Sequence, residues 1–440
     1  MKKLIICCLL LLFTSILQSE SWPQFRGPTG DGVSTAENVP TQFGPDEGVK
    51  WKTELPGRGW SSPVIDGGTL WVTTAKESFP SAEERLEILR KAGENEKILE
   101  ERQVATHIDL AAVSIDYETG AILRNVPLLS IENPQTIHTL NSFASPTPVL
   151  TDGVLFAHFG AFGTFAVDTA TGEILWQTKI ALDHGVGPGS SPVVSGGRLF
   201  LICDGIDRQF VTALDCKSGK SLWTTDRPAM RALKGAQKKS FNTPLVIKGR
   251  DRREQIVCMG AQWLVSYAPE SGKELWRLDH GSGFSVVPRP VYSEKTGLIY
   301  LSTGFGKPEL LAVRPDGSGD ISGSDKIVWR ESKRIPAQPS PLLVGDELYV
   351  ISDGGIASCF DAFTGTIYWT ERIQGNYSAS PLFADGHIYV ANQEGTVSLF
   401  KPGKTFVLEG QNQMGETIMA SPIALDGSLL LRTGAALYRF

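Results

Sequence analysis

The stretch AVDTATGEILW, Ala166–Trp176, decides the fold because the chain uses it again. ALDCKSGKSLW ends at Trp223, SYAPESGKELW at Trp276 and CFDAFTGTIYW at Trp369. Weaker versions are SIDYETGAILR, ending at Arg124, VRPDGSGDISGSDKIVW, ending at Trp329, and LFKPGKTFVL after Leu399. Each reads as a strand, a tight turn and a second strand. An Asp (Asp168, Asp215, Asp361) can accept amide hydrogen bonds within its own turn, and a Gly (Gly172, Gly219, Gly272, Gly365) supplies the positive φ. The Trp (Trp176, Trp223, Trp276, Trp329, Trp369) brings a flat apolar face to a neighbouring sheet. A catalytic residue rarely needs repeating in most units of an array, so these positions read as architecture.

A second motif precedes the first in every unit. It is a proline pair opening an alternating apolar run, as in SSPVIDGGTLWV from Ser61, SSPVVSGGRLFLIC from Ser190 and ASPLFADGHIYVAN from Ala379. Its prolines are Pro63, Pro148, Pro192, Pro244, Pro290, Pro341, Pro381 and Pro422, spaced 40 to 52 residues apart with one gap of 85. Each copy reads as a hairpin with a Gly- and Asp-rich turn. Two hairpins per unit, eight units, predict an all-β, eight-bladed β-propeller. The last unit runs out at ALYRF, Ala436–Phe440, one strand short. The segment DEGVKWKTEL, Asp46–Leu55, carries Trp51 and has no earlier strands of its own, so pairing of the two ends is expected to close the ring.

The pattern A-x-D-x-x-[ST]-G-x-x-x-W, complete at Ala166–Trp176 and Ala213–Trp223, resembles the tryptophan-docking repeat of the pyrroloquinoline-quinone-like (PQQ-like) propellers. The resemblance covers residues 46–440. That family contains quinoprotein alcohol and sugar dehydrogenases and a cofactor-free assembly lipoprotein of the outer membrane. WPQFRGPTGDGVS, from Trp22, resembles the opening of exported propellers abundant in planctomycete-like bacteria. The resemblance implies a fold; an activity must be argued from the site.

Outside the repeats, Met1, Lys2 and Lys3 precede an uncharged run from Leu4 to Leu17, with Ser19 and Ser21 in a small-x-small arrangement. This predicts a signal peptide over residues 1–21 rather than a membrane span, and an exported protein, periplasmic or extracellular. An N-terminal arm, 22–45, and the propeller, 46–440, follow. Residues 76–103, rich in Glu, Lys, Arg and Leu, fill the long gap and predict a helical insertion in the first blade, with Ser81 and Glu84 as a capping box and a hinge near Gly93. A net charge of −6 without a basic block excludes nucleic acid and anionic membrane surfaces as partners.

In the dehydrogenase branch of the family, the cofactor lies in the central funnel under a disulfide of adjacent cysteines, with calcium held by Glu, Asn and Asp. Here the only adjacent pair is Cys7–Cys8, inside the expected signal peptide, and no C-x-x-C-H is present for haem. No cofactor is therefore expected, with PQQ and calcium kept as the alternative. GVGPGS, Gly185–Ser190, and PGKT, Pro402–Thr405, lack the context of nucleotide loops. His138, His158 and His184 could face one another, and Cys203 and Cys216 are either a disulfide or buried thiols.

The segment ahead of each proline motif should lead into the central channel, which gives one slot per blade: Arg58 with Trp60, Asn141 with Ser142, Ser190, Asn242, Arg289, Gln338, Asn376 with Tyr377, and Met419. Asp204 and Asp353 could add carboxylates. No pair forms an acid/base or nucleophile constellation, and the set suits a polar neutral or anionic ligand better than a metal. The expected function is a binding or scaffolding propeller, its partner a protein or a polar small molecule at the channel. A PQQ-dependent alcohol or sugar dehydrogenase and an envelope-protein assembly factor are the alternatives.

Overall fold

The computed structural model describes residues 21–249 and 252–440; apart from Ser21, the expected signal peptide lies outside them. Eight antiparallel sheets of four propeller strands each form the blades of a ring. Blade 1 runs from strand Val64–Asp66 to strand Ile122–Glu132, blade 2 from Val149–Thr151 to Ile174–Thr178, and blade 3 from Val193–Ser195 to Ser221–Asp226. Blade 4 runs from Leu245–Lys248 to Glu274–Asp279, blade 5 from Val291–Ser293 to Ile327–Glu331, and blade 6 from Leu342–Val344 to Ile367–Arg372. Blade 7 runs from Leu382–Ala384 to Leu408–Gln413. Blade 8 takes its first three strands from Ile423–Leu425 to Ala436–Arg439 and its fourth from Trp51–Glu54. That last pairing sets Trp51 opposite Arg439 and Glu54 opposite Ala436, closing the ring.

The apolar core lies between facing blades, because alternation along each strand turns side chains to both sheet faces. Tyr349 and Trp369 of blade 6 pack in one cluster with Ile388, Val390 and Phe400 of blade 7, and the same happens between blades 4 and 5. The repeated tryptophans join neighbouring blades at their outer strands. Nε1 of Trp176 donates to the Cys216 carbonyl of the next blade at 2.9 Å, Trp223 to Pro269 at 2.9 Å, Trp329 to Ala362 at 3.0 Å, and Trp369 to Gly403 at 2.9 Å. Trp51 does the same across the closure, to Tyr117. The turn Asp works locally: Oδ1 of Asp168 accepts from the amides of Ala170 and Thr171 and from the Thr171 hydroxyl, and Asp215 and Asp361 repeat the pattern.

Three blades depart from this scheme for visible reasons. In blade 1, Arg124 replaces the Trp, lies over Gly172 and donates to Ala170. Beyond blade 4, the blade 5 turn is lengthened, and its Gly319–Asp320 segment adds a parallel fifth strand beside Trp276 and Arg277. Trp276 therefore bonds Gln255 Oε1 of its own blade instead of a neighbouring turn. Blade 7 has no Trp, and the N-terminal arm serves in its place: Phe43 packs on Phe440 with ring centroids 4.8 Å apart, and its amide donates to Asn412.

The arm crosses the ring. Trp22 pairs with Ile65, the Pro23 carbonyl accepts from Leu150, Arg26 Nη2 donates to Pro341 O, and Val33 meets Phe383. The helical insertion is narrower than expected. Residues 76–78 continue the strand Thr69–Ser78, paired with His107–Asp116, because the hairpin is long enough to carry the insertion on its tip. The helix Ala82–Lys91, capped reciprocally by Ser81 and Glu84, and a short 3₁₀ turn, Glu96–Glu101, enclose their own small core of Leu89, Leu99 and Val104. Arg102–Gln103 then pairs with Ile137–His138, fastening the insertion over the connection between blades 1 and 2. No helix among the described residues is long and apolar enough to cross a membrane.

Candidate functional site: the central channel

The residue before each motif proline meets its equivalents around the axis: Ser62, Thr147, Ser191, Thr243, Arg289, Ser340, Ser380 and Ser421. Proline has no amide hydrogen and keeps the preceding residue extended, so that residue's own N–H must find a partner outside its blade. It finds the next blade's hydroxyl. The amide of Ser62 donates to Thr147 Oγ1 at 2.9 Å, Thr147 to Ser191 at 2.9 Å, Ser191 to Thr243 at 3.3 Å, Arg289 to Ser340 at 3.0 Å, Ser340 to Ser380 at 3.0 Å and Ser380 to Ser421 at 2.9 Å.

This hydroxyl ring surrounds a cavity of about 440 Å³, within the range of small-molecule sites. Aromatic side chains line it beyond the ring, among them Trp60, Phe241, Phe284 and Phe305. Phe25 of the arm closes one end, and its carbonyl accepts from Arg289 Nη1 at 2.6 Å.

Of the slots read from the sequence, Trp60, Asn141, Gln338 and Met419 line the cavity. Ser142, Ser190 and Asn242 stand behind the wall. Ser190 Oγ donates to Asn242 O at 2.7 Å, Asn242 Nδ2 donates to Pro288 O at 2.6 Å, and Ser142 Oγ lies 2.9 Å from Ser145 Oγ. Arg58 sits at the insertion-side mouth, where it packs on the Trp60 ring, donates to Gln103 and Asn141, and pairs with Glu77 at 3.4 Å. Arg289 lies beneath Phe25, fully buried, and loss of hydration lowers its pKa to about 10. Asn376 is outside the channel on the rim, bonded to Glu394, and Tyr377 is buried with its hydroxyl on Gln374 O.

The two carboxylates are committed elsewhere. Asp204 and Arg227 form a buried two-pronged pair at 3.1 and 3.0 Å, and Asp353 accepts from the amides of Ala337 and Gln338. His138 lines the cavity. His158 bonds Thr164, and His184 packs edge-on to Phe162. Burial holds His158 at about 4 and His184 at about 3, so both are neutral near pH 7. No group of three metal-binding side chains occurs among the described residues. Cys203 and Cys216 are not bonded to each other; they are free thiols, as are Cys258 and Cys359, and burial raises the pKa of all four. Besides the ring, sequence reasoning missed Lys239, whose ammonium lines the channel wall 5.4 Å from the Phe241 ring centre.

A family model described as outer membrane protein assembly factor BamB matches residues 109–277 and 260–403. The chain belongs to this family. BamB of Yersinia pestis is 26% identical over 191 residues, which is 41% of this chain and 46% of that protein. The quinohemoprotein alcohol dehydrogenase ADH IIB of Pseudomonas putida is 27% identical over 227 residues, 40% of this chain and 30% of that protein. The matched segments thus span under half the length of either relative. Among solved structures, BamB from Moraxella catarrhalis aligns with a TM-score of 0.56 at 12% identity, over 88% of this chain and 96% of that one. A europium-containing methanol dehydrogenase aligns with 0.54 at 11% identity, over 96% and 98%. Both structural likenesses show the propeller fold.

Within the BamB family fold, the donor set of this channel does not fit a calcium-bound quinone. Calcium takes six to eight oxygen ligands with carboxylates among them, and no Asp or Glu lines the cavity. Nor does any cysteine, so the lid of adjacent cysteines has no counterpart there among the described residues.

Proposed function

We propose that this chain is an exported, non-catalytic binding propeller of the BamB family whose central channel receives a polar small molecule or an extended protein segment. One observation carries the reading: a pocket of ligand size, walled by hydroxyls and aromatic rings, floored by Phe25 and free of carboxylates. Such a wall can hydrogen-bond and stack on a guest. Its one histidine, His138, has Nδ1 engaged by the Leu140 amide and bonds no hydroxyl of the wall, so the lining offers no nucleophile paired with a base and no oxygen cage for a metal.

The test is a titration of purified protein with PQQ and calcium, followed by tryptophan fluorescence and by dye reduction with alcohols and sugars. We expect no substrate-dependent reduction under conditions that reconstitute a known quinoprotein. Substrate-dependent reduction would make the protein a dehydrogenase and overturn the proposal.

The family match and the insertion support a second reading, an assembly factor for envelope proteins. Phe79, at the base of the insertion, and Ile88, on its helix, are exposed, which is where a partner protein would find apolar surface. Deleting residues 80–101 should abolish partner binding on this reading and leave channel binding intact.

A further inference from the structure

The formal charge of the channel wall is unbalanced. Of the residues lining the cavity, Lys239 carries the one fixed charge, since His138 is held neutral by burial and its Nδ1 accepts from the Leu140 amide. The Lys239 side chain is almost wholly enclosed, and no hydrogen bond or ion pair among the described residues reaches its ammonium. Asp183 is the carboxylate that attracts it, without a direct ion pair; Asp183 Oδ1 accepts from the Gly185 amide, and Glu94 stands 3.6 Å from Arg102 Nε. Arg102 adds a second positive charge behind Lys239 in the adjoining pocket under the insertion, which Lys239 also lines. An enclosed cation with no directly paired counter-ion is costly to desolvate. Burial, reinforced by Arg102 and opposed by Asp183, lowers its pKa to about 8, so it remains mostly protonated at pH 7.

The hydroxyl ring points the same way. Each ring oxygen at the six bonded junctions accepts an amide hydrogen and keeps its own O–H to donate. Ser380 spends its proton on Ser340, and the other ring hydroxyls line the cavity, where they can donate to an anionic oxygen. A cationic guest would meet a like charge, and a neutral guest would leave Lys239 without a direct ionic partner.

We infer that the channel selects a ligand bearing one anionic oxygen group, a carboxylate or a phosphate, which pairs with Lys239 while its body stacks among Trp60, Phe241 and Phe305. This rests on the reading of the channel as a binding site. A charge-assisted bond to an enclosed ammonium is roughly twice as strong as a neutral one, so charge should dominate selection.

The test is calorimetric titration with three probes of one shape: 2-naphthoate, 2-naphthyl phosphate and the uncharged 2-naphthamide. The wild-type protein should bind at least one of the two anions about tenfold or more tightly than the amide. Lys239→Met should erase that preference, and Lys239→Arg should keep it. A cooperative melt of Lys239→Met without ligand shows at once that the variant folds. Naphthoate preferred over phosphate identifies a carboxylate headgroup, and the reverse a phosphate. Equal binding of amide and anions, or a preference that survives Lys239→Met, rejects the anion and leaves the channel as a binding site. No binding of any probe at millimolar concentration rejects both.

Discussion

A methyl group on Gly219 would stand 2.4 Å from the Trp176 ring, at a φ of +67° that side chains rarely adopt. Gly197, also in a blade 3 turn and at φ +73°, has nothing within 4 Å. The pair separates backbone strain from packing. Gly197→Ala should cost about 1 kcal/mol, from the left-handed conformation alone. Gly219→Ala should cost about 2–4 kcal/mol, because the ring must also leave its dock. Urea midpoints measure both, and equal losses would mean that the tryptophan is not held by the bare glycine. Protonation offers a second test at this scale. His158 has a folded pKa of about 4 against an ordinary 6.5, so between those values the unfolded chain binds the extra proton. Stability from this residue is complete above pH 6.5 and falls as pH drops toward 4, by up to about 1.4 kcal/mol per pH unit. His158→Gln should flatten the pH dependence of the urea midpoint across that window; an unchanged slope would show that His158 is not buried neutral. The turn Asp was readable one copy at a time, since its work is done within three residues, whereas the bare face that the Gly offers to a neighbouring Trp was not. Lys239 was not, because it belongs to no repeat and its role depends on what fails to surround it.

Between elements, the hydroxyl ring and the tryptophan docks hold neighbouring blades at their inner and outer edges. Ser340 is the test of the inner edge. Its Oγ accepts from the Arg289 amide and from Ser380, both buried. Ser340→Ala should cost about 1–3 kcal/mol, the penalty for an unpaired buried amide, and amide exchange should rise at Arg289 ahead of the rest of blade 5. No change in exchange there would mean that the ring is ornamental. The ring was present in the sequence as the residue before each proline, in SSP, PTP, SSP, NTP, PRP, PSP, ASP and ASP, yet the channel slots, Arg289 apart, were placed one to six residues earlier. Of those earlier residues Trp60, Asn141, Gln338 and Met419 reach the cavity, whereas Ser190 and Asn242 turn to bonds behind the wall. The tryptophan spacing was legible, but the partner of Trp276 was not, since the loop that displaces its dock carries no repeat pattern.

For the whole molecule, the question is how a ring with one composite blade stays closed, and the arm bears on it as much as the paired ends do. Periodicity shows the missing fourth strand and its replacement by Trp51–Glu54; it is silent on residues 22–45, which have no period and reach blades far apart in the chain. Those residues bury Trp22, Val39 and Phe43, supply the Phe25 carbonyl to Arg289, and cover Phe440 where blade 7 has no tryptophan to dock. At about 1.5–3 kcal/mol for each large side chain taken from water, the arm contributes several kcal/mol, comparable with the net stability of a typical domain. The insertion, by contrast, keeps its own small core and meets the rest of the chain through a two-residue strand pair and a few hydrogen bonds at Glu101, Arg102 and Gln103. Deleting residues 22–45 while retaining Trp51–Glu54 should therefore lower the urea midpoint strongly and raise amide exchange first in Ala436–Arg439, whereas deleting residues 80–101 should leave both nearly unchanged. If both deletions are equally mild, the strand pairing at Trp51–Glu54 closes the ring unaided. If the insertion proves the costlier loss, blade 1 depends on it, and the view of the insertion as a separate appendage is wrong.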